Sequence, residues 1–284
     1  MAKSRYTLTP TRLRKKRRKI LLVKFLLGIF VIFISLFFVR LFSNASFMTI
    51  SQVEIVGSTA SEETSHLEQI VKGTTEGYYG HLISKSNVFF YPRGKIIENL
   101  SKTFKQVKGV EVDLNNWSKL TITIEERKPF EMWCTSEESG ASIIFKDDCY
   151  FLDNQGYAFS KAPEISGDAY FKNYGNIQHA STSPIGQQFL TPELFKAISS
   201  FRESLSKRNI NPDKLIAKID GDFEFYLPDG GRILFNTSQN FNVVLENIES
   251  LLQDPDIRGS QGTLSTSLDY IDLRFGNKIF YKKR

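Results

Sequence analysis

Histidine and cysteine are scarce in this 284-residue chain, and its start carries no acid. The three histidines, His66, His81 and His179, lie far apart in sequence. Two cysteines, Cys134 and Cys149, are too few for a structural zinc site even with histidine help. No serine sits in a nucleophile elbow, and Gly230-Gly231 lacks the Lys-Ser/Thr of a phosphate-binding loop. Asp147-Asp148 is not a carboxylate pair, because strand neighbours point to opposite faces. An enzyme needs an activated group in a shaped site. None is legible, so no catalytic residue, metal, cofactor or small-molecule substrate is expected. The absence of any repeat of 20–50 residues excludes a solenoid. The absence of a long series of alternating segments excludes a membrane barrel.

The formal net charge of +6 conceals a division. Residues 1–19 hold nine bases (Lys3, Arg5, Arg12, Arg14, Lys15, Lys16, Arg17, Arg18, Lys19) and no acid. Lys24 and Arg40 leave 26 of the 37 bases beyond residue 40, against all 31 acids, a balance of about −5. The basic tail suits anionic lipid. Nucleic acid is not expected as a partner, since the folded part lacks interleaved basic and aromatic residues.

One long apolar run is present. Residues 20–42 read ILLVKFLLGIFVIFISLFFVRLF, and Phe25 to Val39 contain no charge. A bilayer core requires about 20 such residues in a helix, and Lys24 and Arg40 sit where long side chains reach the headgroups. Ser43-Asn44-Ala45-Ser46 offers small residues for signal cleavage, but a signal's apolar core is roughly 7–15 residues, shorter than this one. The expectation is a single-pass anchor, with the basic N-terminus cytoplasmic and the C-terminus extracytoplasmic. In that exported part disulfides persist. Cys134 and Cys149 flank a hairpin pattern, so a Cys134–Cys149 bridge is expected.

Beyond the anchor, about 240 residues suit one large or two modest domains. Val53 and Ile55 alternate into a strand ending at Gly57. Ser61 caps a helix carrying Leu67, Ile70 and Val71, which Gly73 is expected to stop. After the connector Gly77-Tyr78-Tyr79-Gly80, Pro92 opens a second helix with Ile96, Ile97, Leu100 and Phe104 on one face. Val110, Val112 and Leu114 alternate, Asn115-Asn116 turns, and Leu120, Ile122 and Ile124 return. The result is a β-α-α-β-β unit, two helices on one face of a three-stranded sheet.

From residue 128 the pattern becomes β-rich. Strands are expected at 130–133, 142–145, 150–152, 215–219, 223–227 and 232–235, with Asp153-Asn154-Gln155-Gly156 and Asp229-Gly230-Gly231 as turns. Residues 160–188 read as irregular loop. Helices are expected at about 191–207 and 239–252, a polar loop at 254–266, and one closing strand.

Four segments carry a resemblance. Ile50-Ser-Gln-Val-Glu-Ile-Val-Gly57 with Leu120-Thr-Ile-Thr-Ile-Glu-Glu-Arg-Lys-Pro129 resembles the POTRA domain of the FtsQ/DivIB cell-division family, whose domain ends in "L-x-I-x-x-x-E-R-x-P". Asp153, Gly156 and Phe159 match that family's "D-x-x-G-x-x-F" turn. Tyr270-Ile271-Asp272-Leu273-Arg274-Phe275-Gly276 resembles its closing "Y-[IV]-D-L-R-[YF]" signature. The resemblance implies an α+β organisation: basic tail 1–19, transmembrane helix 20–42, POTRA-like domain 48–127, and a mixed β-domain with two helices at 128–284.

It also implies a function: a divisome scaffold at the septum that catalyses nothing and controls septal peptidoglycan synthesis through its partners. An upstream division protein would dock on the POTRA-like domain. The FtsB/FtsL pair would dock at the last strand by β-strand addition. Tyr270, Asp272, Arg274, Phe275 and Gly276 are the residues implied, with Arg274 suited to a partner carboxylate through bidentate bonding. Beyond Gly276 the chain departs from the family's longer segment ending in Trp, and Ile279, Phe280 and Tyr281 are alternative sources of the apolar contact. The terminal Lys282-Lys283-Arg284 is either a solvated end that discourages edge aggregation or an acid-seeking contact. A competing reading of the strand itself packs Ile271, Leu273 and Phe275 into the core and closes a local ion pair between Asp272 and Arg274. Two other functions compete, a POTRA-bearing export component and a membrane-anchored cell-wall enzyme.

Overall fold

The computed structural model describes residues 10–57, 61–139, 142–164, 169–175, 183–218, 220–255, 257–259, 264–276 and 278–284. Lys3, Arg5, His179, Ile219 and Asn277 lie outside these residues, as does the side chain of Asp147. Among the described residues the fold is mixed α+β with five α-helices, in two compact units, Met1–Glu126 and Arg127–Arg284.

The first unit begins with helix α1 (Pro10–Ser43), which extends the apolar run back into the basic segment. Its stretch Lys15–Ser43 is long and apolar enough to cross a membrane, and its large apolar side chains are exposed. A 3-10 turn (Ser46–Met48) leads to β1 (Gln52–Val56), α2 (Ser61–Thr75), β2 (Tyr78–Tyr79), β3 (Ile83–Ser84), α3 (Arg93–Thr103), β4 (Val107–Asn115) and β5 (Lys119–Glu126). The sheet order is β1-β5-β4, with β1 parallel and β4 antiparallel to the central β5. Alternation along β5 sends Leu120, Ile122 and Ile124 inward to meet Leu67 and Val71 of α2 and Ile96 and Leu100 of α3.

Gly57 ends β1 because no other residue fits there. Its φ is +97°, and an added Cβ would lie 2.2 Å from the Ile124 carbonyl oxygen. Gly73 does not stop α2, contrary to expectation. The helix continues to Thr75, where the hydroxyls of Thr74 and Thr75 donate to the carbonyls of Ile70 and Val71 at 2.7 and 3.0 Å. Tertiary packing of Leu67 and Val71 outweighs the roughly 1 kcal/mol preference against glycine.

The second unit is built on one large sheet. Its elements are β6 (Glu131–Ser139), β7 (Ser142–Leu152), β8 (Ala158–Lys161), β9 (Lys172–Gly175), α4 (Pro192–Ser206), β10 (Lys214–Ala217), β11 (Asp222–Tyr226), β12 (Arg232–Asn236), α5 (Phe241–Leu251), β13 (Leu268–Phe275) and β14 (Lys278–Lys283). Among the described residues the sheet order is β14-β13-β12-β11-β10-β9-β6-β7-β8, so β14 and β8 are its edges. Helix α4 starts at Thr191, whose hydroxyl accepts the Leu194 N–H, followed by Pro192 in the first turn. Helix α5 starts at Asn240, whose side chain accepts the Asn242 N–H. Phe195, Ile198, Phe201 and Leu205 of α4 join Val244, Ile248 and Leu251 of α5 in one core. Against them lie Leu215, Phe223, Phe225, Ile233, Phe235, Ile271 and Leu273 from the sheet. Each such fully buried side chain contributes about 1.5–3 kcal/mol.

Three expectations are corrected. The segments 142–145 and 150–152 are parts of one strand, β7, pairing with β6 across a hairpin. The stretch 160–188 contains the end of β8 and all of β9, and β9 is central, parallel to both β6 and β10. Its four residues Lys-Asn-Tyr-Gly show no apolar alternation, and its buried Asn173 is held by hydrogen bonds instead. The closing strand is two strands, β13 and β14, joined at Gly276 with φ +68°.

Candidate docking site at the C-terminal hairpin

Strand β13 pairs in parallel with β12 through Arg232↔Tyr270, Ile233↔Ile271 and Leu234↔Asp272. On its other side β14 pairs antiparallel, with Ile271↔Tyr281 and Asp272↔Phe280. The open backbone edge therefore belongs to β14. Tyr270, Asp272 and Arg274 stand on an interior strand. Ile271 and Leu273 are buried beneath the helices as expected. Phe275 is not. A register irregularity between Asp272 and Phe275 takes it out of the core, and it is 55% exposed.

One β14 side chain turns to the core. Ile279 packs half-buried on the core, whereas Phe280 (51% exposed) and Tyr281 are open to solvent. Phe275 and Phe280 meet edge to face with ring centroids 5.4 Å apart. Asn247 of α5 donates to the Gly276 carbonyl at 2.9 Å, which steadies the turn. Lys282 pairs with Asp269 at 3.5 Å, and Arg284 donates to the Asp229 carbonyl at 2.7 Å. Phe275 and Phe280 are thus brought together as an exposed pair beside an open strand edge, and Gly276 and Tyr281 are exposed along the same hairpin. The bases at 282 and 284 have contacts within the chain.

Arg274 belongs to a separate network. Its Nε donates to Asp272 Oδ1 at 2.9 Å and its Nη2 to Oδ2 at 2.6 Å, a bidentate pair two residues apart. Its Nη1 donates to Asp222 of β11, which also accepts from Asn236 of β12. Asp272 is buried, and its Oδ1 also accepts the Arg274 backbone N–H at 3.1 Å. Burial opposes charge on Asp222, but the bonds from Asn236 and Arg274 outweigh it and hold this carboxyl below its ordinary range. The hydrogen bonds to Asp272, despite burial, keep Arg274 protonated more firmly still. The bidentate carboxylate that Arg274 was expected to seek on a partner is Asp272 of its own strand. Tyr270 lies across from Arg232, whose guanidinium carbon is 5.9 Å from its ring centroid, and Arg232 reaches Asp269 at 3.3 Å.

The two other motifs meet each other. Arg127, from the Glu126-Arg127-Lys128-Pro129 element, pairs with buried Asp153 of the Asp153–Gly156 turn. Asp153 Oδ1 accepts the backbone N–H groups of Gln155 and Tyr157 at 2.8 and 3.1 Å. The Arg127 guanidinium lies 4.1 Å from the Tyr157 ring centroid, and Phe159 is buried. Gly156 has φ +78°, and a Cβ there would stand 2.8 Å from the ring of Phe195.

Sequence reading missed one buried polar cluster. Glu131 at the start of β6 is 2% exposed and accepts from Asn173 at 2.7 Å, Ser199 at 3.3 Å and Arg202 at 2.6 Å. Burial raises its carboxyl above the ordinary glutamate value, outweighing the pull of Arg202 and the hydrogen bonds. An acid between Phe130 and Met132 in a strand pattern was the signal that could have found it.

Cys134 and Cys149 lie opposite each other on β6 and β7 and are joined by a disulfide. His66 is exposed on α2 beside Phe104, and His81 is exposed in the turn between β2 and β3. Asp148 pairs with Lys161 at 3.0 Å. Among the described residues no three His, Cys, Asp or Glu side chains gather as a metal site. A scan against models of protein families finds no match for this chain, and a search of curated proteins finds none either.

Proposed function

We propose that this chain is a membrane-anchored scaffold of the cell-division machinery, similar to the FtsQ/DivIB family, and not an enzyme. The observation that carries the reading is the open edge of β14 with Phe275, Phe280 and Tyr281 exposed beside it. An unpaired strand edge supplies a row of backbone donors and acceptors, and neighbouring aromatics give such an edge an anchor for a partner strand. The partner is the extracytoplasmic part of FtsB, alone or paired with FtsL. Added as a strand, it would extend the large sheet by one.

Several features support the same reading. Helix α1 has the length and apolarity of an anchor, and the charge asymmetry around it orients the N-terminus to the cytoplasm. The first unit runs strand, helix, helix, strand, strand, which is the order of a POTRA-like domain and suits docking of an upstream division protein. Arg127 and Asp153, from two motifs that resemble the family's, join in an ion pair. In this reading the protein sits at the septum and acts on peptidoglycan synthesis through its partners.

The test is binding of the full chain in nanodiscs to the extracytoplasmic part of FtsB from the same organism. The double variant Phe275→Ser, Phe280→Ser removes two exposed rings; it takes away the Phe275 ring 5.7 Å from the Arg274 guanidinium but keeps the Arg274 bonds to Asp272 and Asp222. Loss of an aromatic hot spot costs at least about 2 kcal/mol, so the affinity should fall roughly 30-fold. No binding by the wild-type chain would refute the division-scaffold reading. Equal binding by both chains would keep the scaffold and refute the hairpin as its site.

A further inference from the structure

The end of α1 at which the apolar run stops is tied into the rest of the first unit. Ser43 is buried; its hydroxyl accepts the Ser84 N–H at 2.9 Å, and its carbonyl accepts from Asn87 Nδ2 at 3.1 Å. One turn earlier, Arg40 donates to the His81 carbonyl at 2.9 Å. These bonds hold the β2–β3 hairpin and the loop after it against the last turn of the helix.

The same end of the unit exposes large aromatic side chains. Phe47 lies on the 3-10 turn that follows α1. The Phe89 N–H donates to Asn87 Oδ1 at 3.0 Å, so Phe89 and Phe90 follow directly from a residue bonded to Ser43. Phe89 is 61% exposed and meets Trp117, 65% exposed, edge to face at 5.7 Å. Trp117 sits in the β4–β5 turn, and that turn lies at the α1 end of the sheet, since Ser51 N–H donates to the Ser118 carbonyl at 2.9 Å. Its φ is +58°, a conformation that disfavours a bulky side chain. Beyond the ring contact with Phe89, folding gains little from an exposed indole in a strained turn.

The geometry points to a second membrane contact: Phe47, Phe89, Phe90 and Trp117 enter the interfacial layer of the bilayer that α1 crosses. The inference rests on α1 being a membrane anchor. At 1.5 Å per residue, Ile20–Phe42 spans about 35 Å, enough for a hydrocarbon core of about 30 Å, with roughly 5–8 Å of headgroup zone on each side. Ser43 then stands at the outer boundary of the core, and residues one or two contacts away fall within the headgroup zone. Tryptophan favours that layer, where its ring is dry and its N–H wet, and phenylalanine serves there as an apolar side chain sunk to the acyl boundary. The occupant is phospholipid, because the patch continues the lipid-facing surface of α1.

Tryptophan fluorescence tests this directly, since the chain has only Trp117 and Trp133, and Trp133 is buried with its Nε1 donating to the Gly175 carbonyl at 2.8 Å. The full chain is reconstituted in phosphatidylcholine vesicles with or without bromines at a shallow acyl position. It should float with the vesicles, show bromine-dependent quenching, and lose that quenching in Trp117→Phe. Phe89→Ser with Phe90→Ser should weaken the quenching while leaving flotation unchanged. Failure to float overturns the anchor reading and this inference with it. A chain that floats but responds to bromine no differently from Trp117→Phe overturns the inference alone. So does a Trp117 shielded from both bromolipid and aqueous acrylamide, which would indicate a protein occupant.

Discussion

Replacing Arg274 by alanine should destabilise the second unit itself, before any partner is considered. The guanidinium neutralises Asp272, whose side chain is 8% exposed, and Asp222, at 16%. Its removal leaves two carboxylates facing each other in a poorly solvated layer of the sheet. Breaking a buried pair costs about 3–5 kcal/mol, and the partial exposure of Arg274, 29%, brings the expectation to the lower end, about 3 kcal/mol. For a unit of this size that lowers Tm by about 6–12 °C.

Trp133 emission in the detergent-solubilised chain follows this unit, because the indole is buried in its core. The effect should depend on pH with a definite sign. Asp222 is held below its ordinary range, so its contribution is present above the unfolded value of about 3.9 and is lost as pH falls through the lower folded value. The gap between wild type and Arg274→Ala should therefore narrow in acid. Arg274→Lys keeps the charge without the two-pronged geometry and should recover only part of the loss. A difference below about 0.5 kcal/mol at neutral pH would refute the network as a structural element, that being the scatter of neutral surface substitutions. Loss of partner binding in an Arg274 variant is interpretable only beside this measurement.

Cys149→Ser should lower the stability of the same unit by about 3 kcal/mol, the loop-closure contribution for a separation of 15 residues. Intact mass with and without reductant checks the bond, and free thiols in the native chain would refute it. Glu131→Gln should change how stability responds to pH. The raised folded value of Glu131 means that the native state keeps a proton the unfolded chain has lost. Wild-type stability should then fall as pH rises from about 4.3 through the folded value, and the variant should lack that component. Identical urea midpoints against pH for the two chains would refute the assignment.

The local part of the design is legible in the residues. An uninterrupted apolar run can only be satisfied by burial or by lipid, which made α1 evident. Alternation in Leu120–Ile124 and helical spacing in Ile96–Leu100 name the inward faces, because side-chain direction follows backbone period. Asparagine's turn chemistry marked the turn one residue early: Asn115 ends β4 opposite Lys119, and Asn116 and Trp117 carry the positive φ. What the tertiary structure decided is non-local. Strand β9 is short and polar, and it is a strand only because β6 and β10 border it and Glu131 bonds its Asn173. The motif around Arg274 marked the closing strand, but the residues alone could not show that β14 lies outside it. Placement within a sheet depends on backbone pairing with distant segments, and side-chain period carries no record of it. Arg274 therefore answers to Asp222, 52 residues away, while the exposed edge passes to Phe280 and Tyr281.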